Sequence, residues 1–434
     1  MTTITEVGHG MQTLLTSYAD ELGRSSGFIQ RERKLSGSAY AQGLVFGWLA
    51  NPAATMSELA QATATAGVVM SKQGLDQRFS EASARFLGAL LQQGVSQMIA
   101  GTPMQAGVLG VFSEVHVVDS TSISLPDSLR DVWAGCNRQG VGSAALKVSV
   151  DWELIQGQLV GVQLSAAKQH DQHSPLAHTA LPTRALRLAD LGYFNLTTFA
   201  EYARSGSYFL SRLKVNCNLY TPDGQAFDWA AHLLACADDC VTVDVLVGSE
   251  QLVCRLLAWR VPPEVADWRR HHLQQAAADK GRPVSPRRFQ TAAWSVYITN
   301  VPATDLPLAS AQVLAKVRWQ IELLFKLWKS DGLLDEWRSE NPWRVLTECY
   351  AKLLALLIQH WCILLGAWHL PNRSLHQASQ LVRKHAFYLA AVLRDWVALC
   401  TALATLARGL QTCRMSTLKQ APHTFQAIQR GYLA

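Results

Sequence analysis

A change in hydrophobic periodicity near residue 114 is the feature that most constrains how this chain can fold. From residue 13 to about residue 100, apolar side chains recur at intervals of three and four, which is the pattern of helices. Beyond residue 114, apolar runs bounded by turn residues instead predict strands. The predicted strands cover 114–118, 145–154, 158–164, 186–190 and 208–213, with a helix over 195–205 among them. Helices first, then strands alternating with helices, predict a mixed α/β chain.

Size and composition limit the classes of protein that remain. With 434 residues the chain should form two or three domains or one elaborated domain. Its content of 49% apolar against 17% charged residues excludes a disordered chain. The first residues lack a basic segment followed by an apolar core, so we expect a cytosolic protein without a secretory signal. The most apolar stretch, 353–370, is interrupted by Gln359 and His360, which favours a buried helix over a membrane span.

A helix-turn-helix is predicted within the N-terminal helical region. Thr55 and Glu58 form a capping box that opens a helix, Gly67 interrupts it, and a second helix begins at Ser71. The second helix would expose side chains that suit phosphates and base edges in a major groove, namely Lys72, Gln73, Gln77 and Arg78. An ordinary helical hairpin with a solvated face is the alternative.

Basic residues are concentrated between Arg260 and Arg288, after two strands predicted at 240–247 and 252–260. Seven Arg and Lys side chains, Arg269 and Arg270 among them, stand against three acidic ones, so this stretch has a net charge of +4 out of +6 for the chain. Trp268 and two histidines lie among them. Such a surface is typical of proteins that bind along the phosphate backbone of a nucleic acid. A solvated basic loop is the alternative.

Acidic side chains are predicted at the ends of two strands, where Asp119 and Asp190 each follow an apolar run. Ligands gather at such edges of open α/β sheets, and carboxylates there can share a divalent ion such as Mg²⁺. Asp151 and Asp171 are rival acids, of which Asp151 falls within a strand and is interpreted as structural.

A helix predicted over 309–329 carries Arg318, Glu322 and Lys329 on one face, apart from its apolar stripe. Two cations and one carboxylate are therefore available to a ligand. An ordinary surface ion pair between Arg318 and Glu322 is the alternative, since such pairs are common on helices.

Several blocks of this sequence together resemble the DDE transposases of bacterial insertion sequences, in the group with the signature Y-x2-R-x3-E-x6-K. Arg318, Glu322 and Lys329 reproduce R-x3-E-x6-K, and the run from Asp190 to Phe194 is similar to the family block D-x-G-[YF]-F. Further blocks lie at 119–126, 133–157, 31–35 and 73–79. The resemblance thus spans nearly the whole chain, and the order of the blocks is more specific than any one motif.

The resemblance implies a ribonuclease H-like catalytic core interrupted by a β-rich insertion and flanked by N-terminal and C-terminal helical regions. Asp119, Asp190 and Glu322 would be the metal-binding triad for two Mg²⁺ ions, with Mn²⁺ able to substitute. Arg318 and Lys329 would hold DNA phosphate. Trp294 would stabilise a flipped base if cleavage passes through hairpin ends, and a buried tryptophan of a strand is the alternative. The partners would be double-stranded DNA, as element ends and target, and a second copy of the chain in the DNA complex. Such an enzyme would act in the bacterial cytosol, associated with the nucleoid.

The implied domains follow from these assignments. They are a helical DNA-binding domain over 1–105, the two parts of the catalytic core over 106–213 and 294–371, the β-rich insertion over 214–293, and a helical dimerisation region over 372–434.

One departure from the signature bears on activity. Its tyrosine falls three residues before the arginine, where this chain has Ala315, so a hydroxyl that would contact DNA phosphate is missing. The predicted function is Mg²⁺-dependent cleavage of the element ends followed by joining of their 3′-OH groups to target DNA. The alternatives are a catalytically inactive protein that binds element ends and a ribonuclease H-like nuclease that does not transpose.

Overall fold

The computed structural model describes residues 3–31, 35–104, 107–135 and 143–415, which form two compact units. The first unit gathers the described residues of 1–105, 119–170 and 319–426, and the second gathers those of 106–118 and 171–318. The helices are α1 (Ile4–Thr13), α2 (Ala19–Ser25), α3 (Gly37–Ala50), α4 (Met56–Ala62), α5 (Lys72–Asp76), α6 (Glu81–Val95), α7 (Leu196–Arg204), α8 (Trp229–Ala235), α9 (Pro263–Ala278), α10 (Pro286–Gln290), α11 (Leu308–Val317), α12 (Trp319–Ser330), α13 (Pro342–Leu364), α14 (Leu375–Val392) and α15 (Trp396–Leu410).

The strands are β1 (Val115–Leu125), β2 (Ala144–Glu153), β3 (Leu159–Ala166), β4 (Leu186–Ala189), β5 (Tyr208–Arg212), β6 (Leu219–Tyr220), β7 (Ala226–Phe227), β8 (Cys240–Val247), β9 (Leu252–Arg260) and β10 (Trp294–Thr299). The predicted mixed α/β class is confirmed. The strands predicted at 240–247 and 252–260 are β8 and β9 without a shift of either boundary.

The core of the first unit is built around α13. This helix is buried over most of its length and packs against α3, α6 and α14. It contains most of the apolar stretch that the sequence marked as a buried helix, and no described helix has the length and apolar character needed to cross a membrane. Beside the helices, β2 and β3 pair as an antiparallel hairpin whose turn contains Gly157 in a left-handed conformation.

The second unit is organised by a sheet in which the strand order is β1-β4-β5-β10-β9-β8-β6-β7. The first four residues of β1 pair in parallel with β4, and β4 pairs in parallel with β5. From β5 onwards the neighbours are antiparallel. Aromatic side chains fill the core, including Phe199 stacked on Phe209 with ring centroids 4.2 Å apart.

Three sequence predictions of local structure were wrong. Asp119 does not end a strand, because buried Ile123 and Leu125 alternate with exposed serines and extend β1 beyond it. The helix predicted over 309–329 is divided into α11 and α12 at Arg318, although Arg318 keeps helical dihedrals and no Gly or Pro marks the division. The C-terminal helix predicted around 387–410 is two helices, since Asp395 caps the start of α15.

The segment 214–293 was predicted to be β-rich, and its first half is. Its second half is helical, because Pro263 and Pro286 each occupy the first turn of a helix, where proline is tolerated. The domain division inferred from the resemblance stays a prediction.

Two glycines with positive φ provide a matched test of the packing in the first unit. A Cβ at Gly157 (φ +75°) would lie 2.4 Å from the Trp368 ring, whereas a Cβ at Gly67 (φ +81°) would meet no atom within 4 Å. We expect Gly67→Ala to cost about 1–2 kcal/mol through backbone strain alone. Gly157→Ala should cost about 1–3 kcal/mol more, because the Trp368 ring must also move. Thermal unfolding of both variants would check this, and equal melting temperatures would contradict the packing described here.

Candidate active site

The two predicted aspartates follow the paired residues of β1 and β4. In the parallel register Val118 is the partner of Ala189, and these are the last residues paired between the two strands. Asp119 follows Val118 directly, and Asp190 follows Ala189 directly. Asp190 keeps an extended backbone and precedes a short 3-10 turn. Each carboxylate therefore stands where the pairing of β1 with β4 stops.

A cavity of about 690 Å³ in the first unit contains three of the predicted residues. Its lining includes Asp119 from β1 and both Glu322 and Lys329 from α12. Buried Ile321, Leu324 and Trp328 fix the opposite side of α12, which leaves Glu322 and Lys329 facing the cavity. Lys329 Nζ donates a hydrogen bond to the Ser122 carbonyl oxygen at 2.8 Å, so the lysine ties α12 to the strand that carries Asp119.

The same cavity has further acidic lining that the sequence analysis missed. Asp335 and Glu336, in the loop after α12, contribute to its wall. The buried ammonium group of Lys352 donates to the carbonyl oxygens of Leu333 and Glu336, both at 2.8 Å, and pairs with Glu348 at 2.9 Å. Lys352 stands among the apolar residues of α13, and a buried lysine requires polar or acidic partners. Its position in the sequence could therefore have indicated a polar loop packed against this helix.

The turn after Asp190 is held by its neighbours in the second unit. Gln172 Nε2 and Lys214 Nζ both donate to the Phe194 carbonyl oxygen, at 2.7 and 3.1 Å. The carboxylate of Asp171 lies against Gly192, where an added Cβ would be only 2.9 Å from its oxygen. Asp171 thus packs beside this turn, while the other rival acid, Asp151, is fully buried within β2.

Three arginines of the second unit act on Tyr297, a residue of β10. Arg318 follows the last residue of α11, and its charge acts on the Tyr297 phenol together with those of Asp190, Arg212 and Arg269. Arg269 is also a structural residue, because its guanidinium donates to the carbonyl oxygens of Ala292 and Trp294 and to Ser295 Oγ. Burial lowers the pKa of Arg269.

Arg270, the second basic residue singled out on α9, is engaged within the unit as well. Its Nη1 pairs with Asp267 at 2.7 Å, and its guanidinium lies over the Phe289 ring. The exposed cations of the basic stretch are instead Arg260, Lys280, Arg282 and Arg288.

A second cavity, of about 430 Å³, lies within the second unit. Its lining includes three tryptophans and three arginines, namely Trp229, Trp268, Trp294, Arg212, Arg269 and Arg288. Trp294 is only 4% exposed, and the Arg260 guanidinium covers its ring at 4.5 Å. Trp268 is 60% exposed and is stacked with His272. Trp268 was predicted only as part of the basic stretch, yet it is the most exposed tryptophan of this lining.

The predicted helix-turn-helix is present in the first unit as α4 and α5. Thr55 and Glu58 form the predicted capping box, and Gly67 turns the chain with φ +81°. Lys72, Gln73 and Arg78 are exposed, but α5 has only five residues. Residues 32–34 of the block at 31–35 lie outside the described residues.

Comparison with known proteins places this geometry in a family. Residues 111–358, more than half of the chain, match the family described as the transposase DDE domain, and this range contains Asp119, Asp190 and Glu322. The chain is 27% identical over 368 residues to the transposase for insertion sequence element IS231F of Bacillus thuringiensis subsp. israelensis, covering 79% of this chain and 76% of that protein. It is 25% identical to the IS1151 transposase of Clostridium perfringens, over 78% of this chain and 76% of the relative.

A solved structure is also similar, that of a piggyBac transposase synaptic complex with hairpin DNA. The TM-score is 0.49 at 8% identity, over 96% of this chain and 86% of that one, which is too low to define a shared fold. The family match extends over residues 111–358, and the relatives match about four-fifths of the chain. The chain therefore belongs to the DDE transposases of insertion sequences.

Proposed function

We propose that this chain cleaves the ends of its insertion sequence by Mg²⁺-dependent hydrolysis of phosphodiester bonds and joins the freed 3′-OH ends to target DNA. The observation that carries the proposal is the shared cavity of Asp119 and Glu322, with Lys329 hydrogen-bonded to the strand that carries Asp119. Phosphoryl transfer requires that the attacking and leaving oxygens are held in line and that the negative charge of the phosphoryl group is stabilised. Two carboxylates that bind metal and a lysine that binds phosphate can meet these requirements.

The donors of this cavity fit a magnesium site. Mg²⁺ keeps several waters and is commonly bound by one or two carboxylates together with substrate phosphates. The cavity offers the oxygens of Asp119 and Glu322 for this purpose. Among the described residues, no three His, Cys, Asp or Glu side chains are grouped closely enough to hold a metal without further ligands. A divalent ion, when bound, would activate water and stabilise the leaving oxygen. A pair of ions, with Mn²⁺ able to replace Mg²⁺, is part of the proposal.

The remaining roles follow from the side chains themselves. We assign Asp190 as the third ligand. Asp119 and Asp190 each follow a member of the last residue pair between β1 and β4, Val118 and Ala189. Packing of α12 holds Glu322 in place. Lys329 uses one donor for Ser122, so its other two can reach a DNA phosphate. Arg318 offers a guanidinium fork for a second phosphate contact.

Double-stranded DNA is the proposed partner, as element ends and as target. Exposed Lys72, Gln73 and Arg78 in the helix-turn-helix are suited to contact it. Arg269 and Arg270 would contribute to DNA binding mainly by positioning the basic stretch between Arg260 and Arg288, since both side chains are engaged within the unit. A homodimer in the DNA complex, with contacts from residues 372–434, is also proposed. Of that region, residues 416–434 lie outside the described residues.

A catalytically inactive protein that binds element ends is the second candidate, and Ala315 is the observation that favours it. The signature hydroxyl is missing at that position on α11. A nuclease that cuts without joining would use the same carboxylates. Strand transfer into a plasmid target distinguishes it from a transposase.

Glu322→Gln should abolish cleavage of DNA that carries the element ends while leaving binding intact. The amide keeps the shape of the carboxylate but loses the charge that the metal requires, so we expect at least about a hundredfold loss in the cleavage rate. Labelled ends incubated with Mg²⁺ would measure this, with Glu201→Gln, an exposed glutamate of α7, as the control. Wild-type protein that binds the ends but never cuts them would instead support the inactive candidate.

On a hairpin route, base extrusion should depend on exposed Trp268 rather than on buried Trp294. A flipped base needs an exposed aromatic face, which Trp268 has and buried Trp294 lacks. With 2-aminopurine near the cleavage site, Trp268→Ala should reduce base extrusion about tenfold. Trp294→Phe should keep the core packed and extrude the base normally if Trp294 is structural. If base extrusion is lost in Trp294→Phe but not in Trp268→Ala, Trp294 is the residue that stacks on the flipped base.

A further inference from the structure

One row of side chains crosses three neighbouring strands of the second unit at Asp190. In the parallel pairing of β4 with β5, Ala189 is the partner of Ser211, so the next residues on the two strands are Asp190 and Arg212. In the antiparallel pairing of β5 with β10, Arg212 is the partner of Tyr297. Residues paired in this way project from the same face of a sheet. Asp190, Arg212 and Tyr297 therefore stand side by side.

Three arginines and one carboxylate act on the Tyr297 phenol. Arg212, Arg318 and Arg269 act on it as cations, and Asp190 is the carboxylate that acts on it. Burial raises the pKa of Tyr297, and Asp190 acts in the same direction, whereas the three arginines oppose them. The phenol thus keeps its proton at neutral pH and remains a hydrogen-bond donor among three guanidinium groups.

Packing holds the phenol ring but leaves its hydroxyl group available. The ring stacks on Trp259, with centroids 4.9 Å apart and planes 9° from parallel. Tyr297 is partly exposed, and its hydroxyl makes no hydrogen bond to another residue in the part of the chain that the structure describes. A rigid donor beside the Arg212 guanidinium is suited to an anion with oxygen acceptors.

We propose that Tyr297 binds a phosphate of the DNA strand that passes Asp190, donating its hydroxyl hydrogen to a non-bridging oxygen while Arg212 and Arg318 balance the charge. The inference rests on the proposed function and adds a residue to it. Arg212, the partner of Tyr297 in the β5–β10 pairing, also lines the cavity that contains Trp268 and Arg288.

The test is Tyr297→Phe, which keeps the ring on Trp259 and removes only the hydroxyl. Affinity for a duplex carrying the element end, measured by fluorescence anisotropy over a salt series, should fall about tenfold. The slope of log affinity against log salt should not change, because a phenol carries no charge, whereas Arg212→Gln should reduce the slope by about one. Melting temperature should stay at the wild-type value.

Tyr220→Phe is the matched control, since this partly exposed tyrosine of β6 lies on a strand away from Asp190 in the sheet order. Its affinity should equal that of the wild type. If Tyr297→Phe also binds and cleaves as the wild type does, Tyr297 is only a packing residue and this inference fails while the proposed function stands. Equal losses in both tyrosine variants would also overturn it. If the wild-type protein neither binds nor cuts the ends, the proposed function fails first and this inference fails with it.

Discussion

The parallel pairing of β1 with β4 is the constraint on which the account of this site depends. The register stops at Val118 and Ala189, and an aspartate follows each of them. A slip of one residue would turn either aspartate to the other face of the sheet, since side chains alternate along a strand. Nearly complete burial of the paired residues, Val115 to Val118 and Leu186 to Ala189, opposes such a slip. Packing of the core therefore fixes the positions of Asp119 and Asp190 on the sheet.

Within each unit, charge is organised around one of these aspartates. In the first unit, Lys329 joins α12 to the strand of Asp119, and Lys352 holds the loop that supplies Asp335 and Glu336 to the same cavity. In the second unit, three arginines and a phenol stand with Asp190. Arg318, which follows the end of α11, is one of these arginines.

Much of this could be read from the sequence, and the exceptions have identifiable causes. The limits of β8 and β9 were predictable because their apolar runs are bounded by turn residues. The acids and the signature residues could be proposed as site residues because they fall in short blocks of sequence. Tyr297 was missed because its neighbours, Asp190 and Arg212, lie far away in sequence and meet it only through strand pairing. Trp294 and Trp268 could not be ranked from composition, because burial distinguishes them and depends on long-range packing.

Anomalous diffraction from crystals grown with Mn²⁺ and a duplex that carries the element end would test the central claim most directly. The claim is that Asp119, Asp190 and Glu322 form one metal-dependent site for cutting DNA. It predicts Mn²⁺ peaks whose ligands are oxygens of these three carboxylates, with a DNA phosphate nearby. Mn²⁺ bound only elsewhere, with the three carboxylates free of metal in the presence of bound DNA, would contradict it.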